Sequence, residues 1–516
     1  MVELLPYGTE IPVATKLSIL RPACYKKFSG IINEIYDRFE KGTGQPKRDI
    51  NDKGELESFL RETILGALGD KAAPGLTPDT DLFAYGVDSL QATRVRNVIS
   101  KSLELGNVSL GQNIVYEQPS ISQLAQYLLD IKAGTKSDDS PEAAHKLMLS
   151  LVDKWAAKLV KQDLNGYIPP PGPTGEVVVL TGATGSLGAH ILDQLTRRDD
   201  VASVICLSRA KSHQDSLQRV YDSLQQRQRH LSPQAMSKVM SFAADVNKPD
   251  LGLEPEQYEL LRLQSTSIIH NAWPVNFVLS LASFDEHIGG AVNLLNLALK
   301  SPRKVKPSFF FSSSVGTVQG RPDPVVHETF SDHPATAGGM GYGRSKWVVE
   351  KILERAGSET RGRVGVLRIG QLAGDTETGV WNETEAWPLM FRSANTTGHL
   401  PLLEEKLNWL PVDMAGKAIA EIVSSYSTSN TSNTQSQPSA RVYHVLNANP
   451  APWSSVLEGL EKGGVQFKAV ERRQWLERLA GSDNDVQRNP TYKLLVSHPP
   501  HLDSLIDVIN IHGTSS

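Results

Sequence analysis

The apolar and polar positions divide the chain into stretches of different period. Near the N-terminus, Phe28, Ile32, Ile35, Tyr36 and Phe39 recur at helical spacing, and Gly42 and Gly44 end the run. The polar stretch KGTGQPKRDINDKG then reads as a linker. From residue 54 the pattern is helical again, with Leu56, Phe59, Leu60, Ile64, Leu65 and Leu68 forming one amphipathic stripe. The loop PGLTPDTDLFAYG interrupts it, and a second helix is predicted from Asp88–Ser89. A third takes Ser120 as its N-cap after Pro119 and turns Ile121, Leu124, Ala125, Leu128 and Leu129 inward. Residues 54–132 thus predict a small helical bundle. The aperiodic stretch KAGTKSDDSPEAA (132–144) reads as an interdomain linker, and a helix over about 142–163 as an adapter, so 133–175 is linker plus adapter.

From residue 176 short apolar runs alternate with helical patterns. VVVL (177–180), VICLS (204–208), SFAAD (241–245), SIIHNA (267–272), FFFSS (309–313) and VGVLRIG (364–370) read as strands, most of them apolar throughout, as strands covered on both faces must be. The series predicts a doubly wound α/β sheet over most of 176–516. The tract STSNTSNTQSQPSA (427–440) reads as a surface loop, and the last 75 residues as a smaller mixed cap.

Composition narrows the class. The net charge is −4 and no Lys/Arg stripe stands out, so nothing points to a nucleic-acid partner. Two cysteines, Cys24 and Cys206, cannot form a disulfide framework or a Cys-rich metal site, and the thirteen histidines lack ligand spacing, so no metal is expected. The absence of a signal-like leader and of any apolar run near the roughly 18 residues of a membrane span makes the expected location cytoplasmic.

Candidate chemistry begins at Thr181-Gly182-Ala183-Thr184-Gly185-Ser186-Leu187-Gly188, between the first strand and its helix. Glycines there allow a tight turn and a close approach of backbone to a pyrophosphate, which the helix N-terminus attracts. The second strand ends at Ser208-Arg209, with Lys211 beyond. A basic residue at that place suits the 2′-phosphate of NADPH, where an acidic one would suit NAD. Asp245 and Val246, after the third strand, are placed to meet the adenine. Tyr342 and Lys346 lie one helical turn apart on one face, so the ammonium is expected to lower the phenol pKa and help it give a proton to a carbonyl oxygen, while also holding the nicotinamide ribose. A hydroxyl should complete the set. Ser314 in Ser312-Ser313-Ser314 is the choice, with Ser313 the alternative.

These motifs over residues 176–426 resemble the extended short-chain dehydrogenase/reductase superfamily. Within it, Ile269-His270-Asn271-Ala272 and RIGQLAGD are similar to thioester reductase domains, and Trp409-Leu-Pro-Val-Asp413 looks like a substrate-side loop. Asp81-Leu-Phe-Ala-Tyr-Gly-Val-Asp88-Ser89-Leu90 resembles the attachment motif of thiolation domains, which implies 4′-phosphopantetheine on Ser89 and a phosphopantetheinyl transferase as partner. Residues 1–46 resemble the end of an adenylation domain, with Lys16 at the place of its late catalytic lysine but Leu17 where glycine is common. Forty-odd residues cannot bind ATP and an acid. The acyl group is therefore expected from an adenylation domain elsewhere, this chain being a fragment, a truncated product or the partner of a separate enzyme. The whole order is similar to fungal non-ribosomal-peptide-synthetase-like adenylate-forming reductases, also called carboxylic acid reductases. The resemblance implies reductive release of a carrier-bound acyl thioester as an aldehyde, with four-electron reduction to the alcohol or a non-redox release as alternatives. Trp381, Trp387 and Trp409 are candidates for contact with an apolar or aromatic acyl group, or for core packing.

Overall fold

The computed structural model describes residues 47–69, 75–87, 89–105, 110, 114–132, 141–160, 174–277, 279–321, 323, 325–357, 363–404, 406–428, 440–483, 488–492 and 494. The adenylation-like segment with Lys16, and Cys24, lie outside them. The chain divides into two compact units, 1–137 and 138–516.

In the first unit, α1 (Lys53–Leu68) starts where Asp52 accepts the Glu55 amide at 2.9 Å, and it buries Leu56, Leu60, Ile64 and Leu68. Phe59 and Leu65 flank that stripe, half-buried. Helix α2 (Ser89–Ser102) contributes Ala92, Val95 and Ile99 to the same core. Helix α3 (Ile121–Lys132) contributes Ile121, Leu124, Ala125 and Leu128, and Ser120 caps it through the Gln123 amide at 3.3 Å. The chain reverses into α2 at Gly86, whose φ of +119° favours glycine. Lys132 closes the bundle, pairing with Asp49 at 2.5 Å and donating to the Ile50 carbonyl at 2.7 Å.

The second unit opens with α4 (Pro141–Ala156), shorter than the sequence pattern suggests. Its Met148, Leu151 and Val152 join the core that covers one face of the main sheet. A Cβ on Gly289 would lie 2.3 Å from the Trp155 ring, and Trp155 Nε1 donates to Asp285 at 2.8 Å. The adapter helix is therefore seated in a notch of the α/β unit.

Beyond it come β1 (Glu176–Thr181), α5 (Ser186–Thr196), β2 (Val201–Ser208), α6 (His213–Gln226), β3 (Val239–Ala243), α7 (Pro255–Gln264) and β4 (Ser267–His270). Then follow α8 (Asp285–Lys300), β5 (Ser308–Ser314), α9 (Gly341–Ala356), β6 (Val364–Ile369), α10 (Ala386–Thr397), α11 (Val412–Thr428) and β7 (Ala440–Val445). All seven strands are parallel in the order β7-β6-β5-β4-β1-β2-β3, so the order reverses between β1 and β4. Alternate side chains feed two cores. Val177, Val179, Ile268, Phe309, Phe311 and Val366 face α4, α8 and α9. Val178, Leu180, Ile269, Phe310 and Leu367 face α5, α6 and α11.

One expectation needs correction. The last 75 residues are not all cap: RVYHV pairs with β6 as the seventh strand of the main sheet. The cap instead draws on two separated stretches. Trp387, Leu389, Met390 and Leu400 pack with Trp453, Leu457, Trp475 and Leu479, the later residues coming from α12 (Trp453–Lys462) and α13 (Arg472–Ala480). No described helix is long and apolar enough to cross a membrane.

Because Leu60 is fully buried between the bundle helices, Leu60→Ala is expected to destabilise the first unit by about 2–5 kcal/mol. Denaturant unfolding of the full chain checks this. The transition of the second unit should keep its midpoint.

Candidate active site

Strands buried on both faces bring their polar residues together at the carboxyl edge of the sheet. There β1 ends at Thr181, β2 at Ser208, β4 at His270 and β5 at Ser314. This edge, at the reversal of strand order, is where α/β sheets bind ligands.

Glycine is required at two points of the loop after β1. Gly182 has φ +77°, and a Cβ there would lie 2.8 Å from the Ala272 amide nitrogen. A Cβ on Gly188 would lie 2.0 Å from the Gly182 carbonyl oxygen. Gly185 is the N-cap of α5 and carries no side-chain cap, so the helix end faces outward past Thr184 and Ser186, both half-buried, while Leu187 is buried. A cradle of this shape, which any side chain would fill, fits a dinucleotide pyrophosphate.

Thr181 fixes the floor of the loop. Its Oγ1 accepts the Asn271 and Ala272 amides at 3.1 and 3.0 Å, so its own proton goes to His270 Nδ1 at 2.8 Å. His270 therefore carries its proton on Nε2, a buried atom without a partner among the described residues. Burial, helped by the nearby Lys346 and His287 charges, pulls its pKa down to about 3.

Arg209 and Lys211 are exposed beyond β2, and the Arg209 carbonyl accepts from Arg219. Asp245 and Val246 form the half-buried turn after β3. The Asp245 amide donates to Leu251 O at 2.8 Å, and the Val246 carbonyl accepts Asn293 Nδ2 at 3.0 Å.

Helix α9 presents Tyr342 and Lys346 to the end of β5. Tyr342 is hydrogen-bonded to Ser314, whose Oγ also accepts the Gly316 amide at 3.1 Å. Ser313, the alternative hydroxyl, points elsewhere and donates to Glu350 Oε1 at 2.6 Å. Lys346 Nζ donates to the Ser312 carbonyl at 2.5 Å and lies 4.6 and 4.5 Å from the ring centroids of Trp273 and Phe311. Phe277 packs edge-on against Tyr342, centroids 5.2 Å apart.

The expected lowering of the Tyr342 pKa by Lys346 is not what this geometry produces. Burial pushes the phenol up to about 12, with the Ser314 hydrogen bond opposing. Burial also holds Lys346 well below the usual lysine range, with Glu350 opposing. Both groups sit in a dry aromatic enclosure, where loss of solvation outweighs a neighbour whose own charge is disfavoured.

The substrate-side loops are pinned to the glycine-loop helix. Asp375 accepts the Glu377 and Thr378 amides at 2.9 and 2.7 Å, pairs with His190 Nε2 at 3.0 Å and meets the buried Arg229. Asp413 accepts the Thr376 amide at 3.1 Å and the Thr376 hydroxyl at 2.5 Å. Trp387 is buried in the cap core, while Trp381 and Trp409 are half-buried with centroids 5.3 Å apart.

The structure thus brings Ser314, Tyr342 and Lys346 together beside the glycine loop. Sequence reasoning missed Trp273, Phe277 and Glu350. Only Glu350 left a signal, as the next step of the 342, 346, 350 spacing.

Comparison with known proteins agrees with this architecture. Residues 58–128 match the phosphopantetheine attachment site family, and residues 180–419 match the male sterility protein NAD-binding family. Residues 58–128 are thus a carrier domain and residues 180–419 an NAD(P)-dependent oxidoreductase domain, each of the family it matches. The chain's relatives include fungal adenylate-forming reductases. It is 32% identical to a carboxylic acid reductase of Neurospora crassa over 93% of this chain and 46% of that protein. It is 31% identical to adenylate-forming reductase Nps10 of Heterobasidion annosum over 93% of this chain and 44% of that protein. The chain therefore spans about half the length of these relatives. Among solved structures, the terminal R domain from the myxalamid PKS-NRPS biosynthetic pathway superposes with a TM-score of 0.56, at 22% identity, over 72% of this chain and 88% of that one.

His270 ties stability to pH. Its folded pKa of about 3 lies below the ordinary 6.5, so between these values the unfolded chain binds a proton that the native state refuses. Its contribution is complete above about pH 6.5 and is lost as pH falls toward 3. Half-buried His287 acts in the same sense. His270→Asn is expected to weaken the loss of stability between pH 7 and 5 by up to about one proton's worth, about 1.4 kcal/mol per pH unit, read from urea midpoints of the second unit.

Proposed function

We propose that this chain releases an acyl group, held as a thioester on a 4′-phosphopantetheine arm at Ser89, by NADPH-dependent reduction to the aldehyde. The supporting observation is the meeting of Ser314, Tyr342 and Lys346 beside a glycine cradle, in a chain that also carries an attachment-site domain. Ser89 opens α2 just after the Gly86 turn, a place where a helix end favours an anionic phosphodiester. A phosphopantetheinyl transferase would install the arm, and an adenylation domain would supply the acyl group.

Bound NADPH would supply the hydride to the thioester carbonyl. The chain's own residues hold and protonate what forms. Ser314 donates to the carbonyl oxygen, and Tyr342 delivers the proton as negative charge builds on that oxygen. A phenol with a raised pKa stays protonated at working pH, which suits a proton donor. Lys346 holds the ribose side of the cofactor and compensates charge on Tyr342. The resulting hemithioacetal collapses to aldehyde and carrier thiol. Arg209 and Lys211, exposed at the end of β2, support selection of a 2′-phosphate. The half-buried Trp381 and Trp409 support an apolar acyl group.

The decisive experiment loads the chain through Ser89, using a promiscuous phosphopantetheinyl transferase and a panel of acyl-coenzyme A donors. NADPH is then added and both protein and product are weighed by mass spectrometry. NADPH-dependent loss of acyl mass with aldehyde formation is expected. Tyr342→Phe should lose about 10²–10⁴-fold in turnover while still binding NADPH. Loading without NADPH-dependent release across the panel would favour a non-redox role, and alcohol as the accumulating product at limiting NADPH would favour four-electron reduction.

Arg209→Ala should lower the preference for NADPH over NADH by about 10–100-fold, the worth of one charge-assisted hydrogen bond. Steady-state kinetics with both cofactors checks this, and an unchanged preference would remove Arg209 from the cofactor site.

A further inference from the structure

Behind the Tyr342–Lys346 face lies a third group that the reaction does not touch. Glu350, 1% exposed, stands one turn beyond Lys346 on α9. Its carboxylate accepts from Ser313 Oγ at 2.6 Å, from Arg368 Nη2 at 2.7 Å and from Arg368 Nε at 3.2 Å. Ser313 and Arg368 are register partners on β5 and β6, so one carboxylate ties the helix to two neighbouring strands.

Three successive turns of α9 therefore meet three successive residues of β5. Tyr342 meets the Ser314 hydroxyl, Lys346 the Ser312 carbonyl and Glu350 the Ser313 hydroxyl. An apolar pair of equal volume in place of Glu350 and Arg368 could pack as stably. It could not accept the Ser313 proton, nor place negative charge one turn from Lys346. Among the described residues, the other charged or titratable groups around Lys346 are Tyr342 on its own helix, His270 from β4, His287 from α8, and Arg368 from β6 behind Glu350. None of these is anionic at neutral pH.

We propose that Glu350, held by Arg368 and Ser313, is a positioning residue for the reduction: it fixes the register of α9 against β5 so that Ser314 faces Tyr342, and it is the counter-charge that keeps Lys346 an ammonium. This rests on the catalytic reading of Tyr342 and Lys346. Burial already weakens the charged form of Lys346, and Glu350 is the group that opposes it. Without that carboxylate the ammonium is lost at lower pH, so the basic limb of the pH–rate profile moves down.

The test uses the full chain loaded through Ser89 with the best acyl donor of the panel. The double variant Glu350→Gln/Arg368→Met removes both charges together and avoids a lone buried cation. It should fold and bind NADPH within about threefold of wild type. Its kcat should fall at least about tenfold, and its basic limb should shift down by about one pH unit or more. Glu350→Asp, which keeps the charge, should restore the basic limb while kcat stays reduced. A folded double variant with wild-type kcat and pH profile would overturn the proposal.

Should the double variant not fold, Ser313→Ala serves instead, since it leaves the ion pair intact and frees the carboxylate from β5. A fall in kcat of about 3–10-fold at constant NADPH affinity is expected, and an unchanged kcat overturns the proposal. Tyr342→Phe is run in parallel. If that variant keeps full turnover, the catalytic reading itself fails. If it loses turnover while the Glu350 and Ser313 variants do not, only the positioning role fails.

Discussion

A strand covered by helices on both faces has no room for an unpaired polar side chain along its length. That constraint organises the second unit. Val177 to Leu180, Ile268 and Ile269, and Phe309 to Phe311 are apolar because each side chain enters one of two cores. Polar chemistry is thereby confined to where the strands end. Thr181, His270 and the serines after Phe311 all stand at one edge of the sheet, and the loop glycines and Tyr342 gather there too. The site is a by-product of how a parallel sheet must be buried, sharpened by the few contacts that aim each group.

Those contacts form two separate systems. Thr181 spends every hydrogen-bonding position on the end of β4, which fixes the glycine loop against His270 and the two residues after it. Helix α9 is fastened to β5 independently, through Lys346 and Glu350. The glycine-loop side and the Tyr342 side are thus positioned by different strands, with β4 adjoining β5 as the common reference. The Asp375 contact adds a third tie, between the loop after β6 and α5, and the Asp413 contact fastens the same loop to α11.

Much of this was legible in the sequence, for physical reasons. Apolar runs too short for helices announced the strands, and the glycines announced a turn that no side chain could enter. The helical stripe of the bundle read correctly at Leu56, Leu60, Ile64 and Leu68 because amphipathic period and burial coincide there. Other features depend on three-dimensional neighbours. That Ser314 and not Ser313 faces Tyr342 shows only in three dimensions, where Ser313 is taken up by Glu350, a residue far along the chain that Arg368 also holds. The Tyr342 pKa follows burial beside Phe277 and Phe284, which spacing alone does not encode. The cap was misjudged because its core is discontinuous, joining Trp387 to Trp453 and Trp475, and because RVYHV reads like an edge strand of anything.

The notch that receives Trp155 has a practical consequence for dissecting such chains. Sequence patterns place the start of the α/β unit at residue 176, yet Met148, Leu151 and Val152 belong to its core, Trp155 packs against that core, and a Cβ on Gly289 would lie 2.3 Å from the indole. A reductase cut at Glu176 would begin its life with a groove of exposed hydrocarbon along α8 and α9, the helix that bears Tyr342. Such a protein invites aggregation, and its poor activity would be mistaken for dependence on the carrier. The natural seam runs through the polar stretch before Pro141, and an excised unit that respects it keeps its own lining.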